Sequence, residues 1–175
     1  VDAICSEYIS LVAQRASEAN IEMREVDRNR RYGSYEAEIE SVEMLDADGR
    51  PVRAVRCGDR VRFEVSIKLR KELEDPSVGI LIRDRLGNDI FGTNTCLAQV
   101  PIPMDVTRST VVFELDLDVG PRHYYLATAV HSGTDHLGVC YDWIDNAVAF
   151  EVLPGEEQFS GYARLKPRIT VRNRN

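Results

Sequence analysis

The sequence has no apolar run near the roughly 20 residues that a membrane-crossing helix needs, and no basic-then-apolar leader closing on a small-residue cleavage site. Both absences point to a cytosolic chain. Its four cysteines, Cys5, Cys57, Cys96 and Cys140, lie far apart and form no C-x-x-C pair. That argues against the paired spacing of a structural zinc site and against the density of a disulfide scaffold, and free thiols in a reducing compartment are expected. Positive charge is short as well. A net charge of −7 runs against a nucleic-acid partner, which is gripped by clustered Lys and Arg that displace counterions. The local basic runs Arg28, Arg30, Arg31 and Arg164, Lys166, Arg168, Arg172, Arg174 do not reverse that balance. No initiator methionine precedes Val1-Asp2, which suggests a piece of a longer protein.

Catalytic grammar is also missing. There is no G-x-S-x-G elbow, no G-x-x-x-x-G-K-[ST] phosphate loop, no H-E-x-x-H and no G-x-G-x-x-G. His123, His131 and His136 fall within fourteen residues, with Asp135 and Asp142 nearby. Their spacing permits a metal triad without requiring one, and exposed polar contacts are the preferred reading. Asp142 and Asp145 raise the thought of glycosidase carboxylates, but those must flank a substrate cleft, and two solvated aspartates in a turn explain them more simply. No metal, cofactor or enzymatic activity is expected.

What is there is a change of period. Ile4, Tyr8, Leu11 and Val12 recur at helical spacing and predict a short amphipathic helix. Residues 20–36 are polar, with little periodicity, and read as a linker. From Ala37 onward the period is two. Val61, Phe63, Val65, Ile67 and Leu69 alternate with Arg60, Arg62, Glu64, Ser66 and Lys68, one face for the core and one for solvent. Ile39 and the Val42/Met44 pair flank a suspected bulge. Val78–Ile82 and Ile90–Phe91 form a hairpin around an 84–88 turn. Gln99–Pro103 holds two prolines and is a connection crossing an edge. Val111–Leu117, Tyr124–Val130 and Val148–Val152 complete the set. About seven short strands with Gly/Asp turns predict an antiparallel β-sandwich of immunoglobulin-like type, without the Cys…Trp…Cys core of antibody domains. The tail from Phe159 alternates Leu165, Ile169 and Val171 with basic residues, and reads as a final strand that pairs at home or is exchanged with a neighbour.

In the strand from His123 to His131, inward Leu126 and Val130 put Tyr125, Ala127, Ala129 and His131 on the outer face. Small residues between larger ones make a shallow trough, and Ala147 and Ala149 extend it. Such a face suits sugars, whose apolar sides stack on aromatic rings while Asp, Asn, Arg and His bond their hydroxyls. Trp143, expected in a polar loop, is either a stacking ring or a core anchor.

The run Gly79-Ile80-Leu81-Ile82-Arg83-Asp84-Arg85-Leu86-Gly87-Asn88-Asp89-Ile90-Phe91-Gly92-Thr93-Asn94-Thr95 resembles the G-x-x-I-x-D-x-x-G-x-x-I/V-F-G-x-N-T signature of the C-terminal domain of Wzt, the ATP-binding subunit of ABC exporters of O-antigen polysaccharide. Cys57-Gly58-Asp59, Gly120, Tyr124-Tyr125-Leu126 and Tyr141-Asp142 follow in family order, so the resemblance covers about residues 37–153. It implies a sandwich that binds the finished, often end-modified polysaccharide and couples it to export, commonly as a homodimer exchanging its C-terminal strand. Residues 1–36 would then be the helix and linker of a preceding ATPase domain. Residues 37–175 would be the binding domain, with 159–175 the exchanged strand, held near the membrane by the exporter's membrane subunit. The signature itself is expected to be structural, with Gly87 and Gly92 at turn or bulge positions and Asn94 and Thr95 satisfying loop backbone. Sugar contacts are expected instead at Tyr125, His131, Tyr141, Asp142 and Trp143, with Arg83 meeting an anionic chain end. The alternatives are a structural or protein-interaction sandwich that mediates dimerisation, and an enzyme acting on sugars through Asp142 or Asp145.

Overall fold

The structure, a computed structural model, describes residues 31–103, 107–134 and 139–172. The expected amphipathic helix and His136 lie outside the described residues. What is described is all β: β1 (Arg31–Tyr32), β2 (Ala37–Asp46), β3 (Ala54–Arg56), β4 (Arg60–Leu69), β5 (Pro76–Asp84), β6 (Asp89–Asn94), β7 (Arg108–Asp116), β8 (Arg122–Ser132) and β9 (Cys140–Leu153). They form two sheets. The larger runs β1-β9-β8-β5-β6, with β3 added alongside β9, and the smaller runs β2-β4-β7. All pairings are antiparallel except β3 with β9.

The β4 alternation sets the smaller sheet. Val61, Phe63, Val65 and Ile67 are fully buried while their neighbours face out. Each such side chain contributes about 1.5–3 kcal/mol by leaving water. From the other sheet Tyr124, Leu126, Val130, Val148 and Phe150 meet them, and Phe150 stands 5.7 Å from both Phe63 and Tyr124. Tyr124 also donates its hydroxyl to Gly120 O at 2.7 Å, the tyrosine-corner arrangement of immunoglobulin-like sandwiches. Burial pushes its phenol up to about 12.

The suspected bulge in β2 falls between Ile39 and Ser41. The hairpin turn is built by Asp84, whose Oδ1 accepts the N–H groups of Leu86 and Asn88, with Gly87 at φ 84°. Asn94 Oδ1 accepts Leu97 N–H and its Nδ2 donates to Thr134 O, while Thr95 Oγ1 accepts Val78 N–H. These residues of the signature support loops, as expected.

Two expectations fail locally. Arg31–Tyr32, placed in the linker, pair with Ile144 and Trp143 as β1. Tyr141-Asp142-Trp143, placed in a loop, lie within β9, because a register shift between Val130 and His131 breaks the period that would have announced a strand there. The tail forms no strand among the described residues. Its residues 162–166 are strapped to their own subunit by a Val119–Ala163 bridge, by Tyr162 O accepting Gly120 N–H, by the Tyr162 hydroxyl donating to Asp84 at 2.6 Å, and by Arg164 and Lys166 on Asp118. Beyond the strap, Ile169 and Val171 are exposed, as is Leu165 within it.

Candidate functional site

The register of the larger sheet lays its outer-face residues in transverse rows. One row reads Tyr32, Trp143, Ala129, Gly79, Asn94 across β1, β9, β8, β5 and β6. The next reads Ala127, Leu81, Gly92, and a third reads Ala149, Tyr125, Arg83, Asp89. Small residues occupy the middle of the face and larger ones its flanks. The result is a trough of about 210 Å³, floored by Gly79, Leu81, Gly92, Ala127 and Ala129. Trp143 walls one side, Asp89, Thr93 and Asn94 the other, and His131 and Thr134 close one end. At that size, below the roughly 300–1,000 Å³ typical of ligand pockets, it suits one sugar unit and not several.

A bulge fixes the aromatic wall. Opposite Ala127 the register of β9 jumps from Ile144 to Val148, with Asn146 at φ 51°, a conformation that asparagine tolerates better than most residues. Bulges re-aim side chains, and this one brings Asp145 Oδ1 to Trp143 Nε1 at 2.8 Å and to Arg83 Nη1 at 3.1 Å. Arg83 Nε reaches Asp89 Oδ1 at 2.7 Å, and the guanidinium lies 5.8 Å from the Trp143 ring centre. Tyr32 stacks on Trp143 at 5.9 Å with ring planes 16° apart. Trp143 is 8% exposed and Tyr32 53%, so the open aromatic face is the tyrosine's. The next residue, Gly33, runs so close to β9 that a Cβ there would stand 2.2 Å from Tyr141 O.

Of the six residues expected to touch a sugar, Arg83, Tyr125, His131 and Trp143 share this face. His131 and Trp143 line the trough, Arg83 stands at its rim, and Tyr125 sits one row beyond the floor. Tyr141 and Asp142 are not brought to it. Tyr141 packs into the core between the sheets. Asp142, fully buried, accepts Arg31 Nε and Nη2 at 2.8 and 2.5 Å and Ile39 N–H at 2.7 Å, which joins β1 and β9 to the smaller sheet. Asp142 and Asp145 therefore lie on opposite faces and cannot flank one substrate. His123 and His131 stand at opposite ends of β8, about 27 Å apart at 3.4 Å per residue. His123 faces Glu151 instead, and among the described residues no cluster of three His, Cys, Asp or Glu can hold a metal.

The sequence profile of the Wzt C-terminal domain matches residues 28–165. The chain belongs to the Wzt C-terminal domain family. A crystal structure of the C-terminal domain of Wzt superposes with a TM-score of 0.70 over 81% of this chain and 87% of that one, at 20% identity, a likeness of fold. A comparison with curated proteins gave no match. Membership associates the chain with O-antigen export by an ABC transporter. No helix among the described residues is long and apolar enough to cross a membrane.

In this Wzt C-terminal domain, two wall residues escaped the sequence reading. Tyr32 sat in an apparent linker, where a two-residue strand leaves no periodic trace. Asp89 stands just past the 84–88 turn, at a position where the signature specifies no residue. The two floor glycines were legible only as glycines, since their alignment beneath Ala127 and Ala129 depends on register.

Proposed function

We propose that this domain binds the O-antigen polysaccharide, at a unit near its modified non-reducing end, and couples that chain to export by the ABC transporter. The observation that carries this reading is the trough. It has a largely small-residue apolar floor, an aromatic wall held rigid by Asp145, and Asp89 opposite to accept from hydroxyls. Rings stack on the apolar face of a pyranose, and preorganised polar groups set its orientation. Trp143, Tyr32, His131, Arg83 and Tyr125 are the contact residues on this reading. The residues ahead of β1 lead from a preceding ATPase domain, which brings the sandwich to the membrane subunit on the cytoplasmic side. Titrating the domain with its own O-polysaccharide and with an unrelated one tests this. Tighter binding of the cognate chain is expected, and equal binding of both, or none, rejects it.

A second reading, a dimerisation module, is favoured by the tail. Leu165 and Ile169 are each 84% exposed and Val171 90%, an alternation with no partner strand among the described residues. Exchange of this segment between two copies would cover it. Removing residues 167–175 and measuring the mass in solution tests the exchange. An unchanged oligomer excludes it.

A further inference from the structure

We propose that the trough accepts an uncharged sugar unit and rejects acidic ones, because the guanidinium at its rim is already held by two carboxylates. This rests on the glycan-binding reading and narrows it to a ligand class. Among the described lining residues none is Lys or Arg, and the one carboxylate is Asp89. Arg83 overlies the Trp143 ring, yet its Nε is on Asp89 at 2.7 Å and its Nη1 on Asp145 at 3.1 Å. Two carboxylates against one guanidinium leave an excess negative charge on this side of the trough.

An acidic sugar seated on the floor would bring its charge beside that excess. To reach Arg83 it would have to displace Asp89 or Asp145, and losing Asp145 would also free the Trp143 indole N–H that Asp145 holds at 2.8 Å. Like charge that has been partly stripped of water is repelled far more than in bulk solvent. A neutral sugar meets no such opposition. Its hydroxyls can donate to Asp89 and to Asp145, which is about a third exposed, and its apolar face can rest on Ala127, Ala129 and Gly79. The carboxylates that exclude an anion are acceptors for a hydroxyl.

Trp143 is the single tryptophan of the chain, so one indole N–H resonance reports the site. The probes are the cell's own O-polysaccharide, released from lipopolysaccharide by mild acid, and the same chains with carboxylates introduced by oxidation of primary hydroxyls. Both are titrated at pH 8, where an ordinary histidine is neutral. Binding at least tenfold weaker for the oxidised chains is expected. Asp89→Asn, which releases one side of Arg83, is expected to narrow that gap threefold or more. Equal or tighter binding of the oxidised chains overturns the inference and leaves the glycan reading standing, as does a gap that Asp89→Asn leaves unchanged. Absence of binding by both chains rejects the glycan reading and this inference with it.

Discussion

Arg31 grips Asp142 with two nitrogens, Nε on one carboxylate oxygen at 2.8 Å and Nη2 on the other at 2.5 Å. The carboxylate is fully buried, and the Arg31 side chain is 36% exposed. Its hydrogen bonds to the Asp142 carboxylate hold the guanidinium above its ordinary range. Through this pair the two-residue β1 is fastened to β9, and with β1 comes Tyr32, the ring stacked on Trp143.

Removing one partner of a buried pair strands the other. Arg31→Ala is therefore expected to cost about 3 kcal/mol, near the low end for such pairs because water can reach the arginine side. Urea denaturation measures it. The same variant loosens β1, so the Trp143 indole resonance should move even without ligand. A variant with unchanged stability and an unmoved resonance would show that the clasp does not fasten β1.

Tyr124 gives the fold an alkaline limit. Its folded-state phenol is raised to about 12 against about 10 in an unfolded chain, so the protonated form is favoured by folding. The stability it contributes is fully present below about pH 10 and is lost as pH rises through about 12. Tyr124→Phe should lower stability at pH 7 by about 1 kcal/mol through the lost bond to Gly120. It should also flatten the fall in stability between those pH values, as urea melts across the range would record.

The strap has the opposite sensitivity. The Tyr162 hydroxyl, with Asn88 and two turn N–H groups, holds the Asp84 carboxyl well below the usual carboxylate range. A depressed carboxyl adds stability that is present above its unfolded pKa and fades as pH falls through the folded one. Tyr162→Phe should make the protein's stability less steep below about pH 4, the ordinary aspartate value. At neutral pH it should speed proteolytic cutting after residue 159, since Tyr162 is one of the ties holding that segment. Equal cutting rates would mean that the other ties suffice.

The two sheets were legible where one face is wet and the other dry. The β4 alternation gave its register outright, and the Ala127/Ala129 pattern placed the trough on the correct face of β8. Legibility ended where long-range pairing acts. Asp142 is polar in sequence, yet it is buried because Arg31, more than a hundred residues away, neutralises it. The Asp145–Ala147 bulge looks like a turn locally, and only pairing with β8 shows that it aims Asp145 at Trp143. Arg83 invited an anion until the fold supplied Asp89 and Asp145. Sequence periodicity reports burial well, but it does not report which charges are neutralised across strands.

Raising the floor of the trough at Gly79 is a test that separates recognition from stability. A Cβ at Gly79 would stand 3.3 Å from Asn94 Cβ and 3.4 Å from His131 Nε2 and from Thr93 O, tight contacts that need a few tenths of an ångström of give. Alanine in place of glycine inside a strand recovers about 0.5–1 kcal/mol of backbone entropy, which offsets that crowding. Gly79→Ala is therefore expected to melt within about 1 kcal/mol of the native protein. On the proposed glycan-binding reading, its methyl would occupy the floor beneath the sugar and lift the ring from Ala129 and Trp143. A loss of about tenfold in O-polysaccharide affinity, or 1.4 kcal/mol, is the expected outcome. Leu86→Ala, a truncation at the exposed hairpin turn, should leave affinity alone. If the two variants bind the polysaccharide equally well, the ligand lies off this floor, and the trough is not where the chain is read.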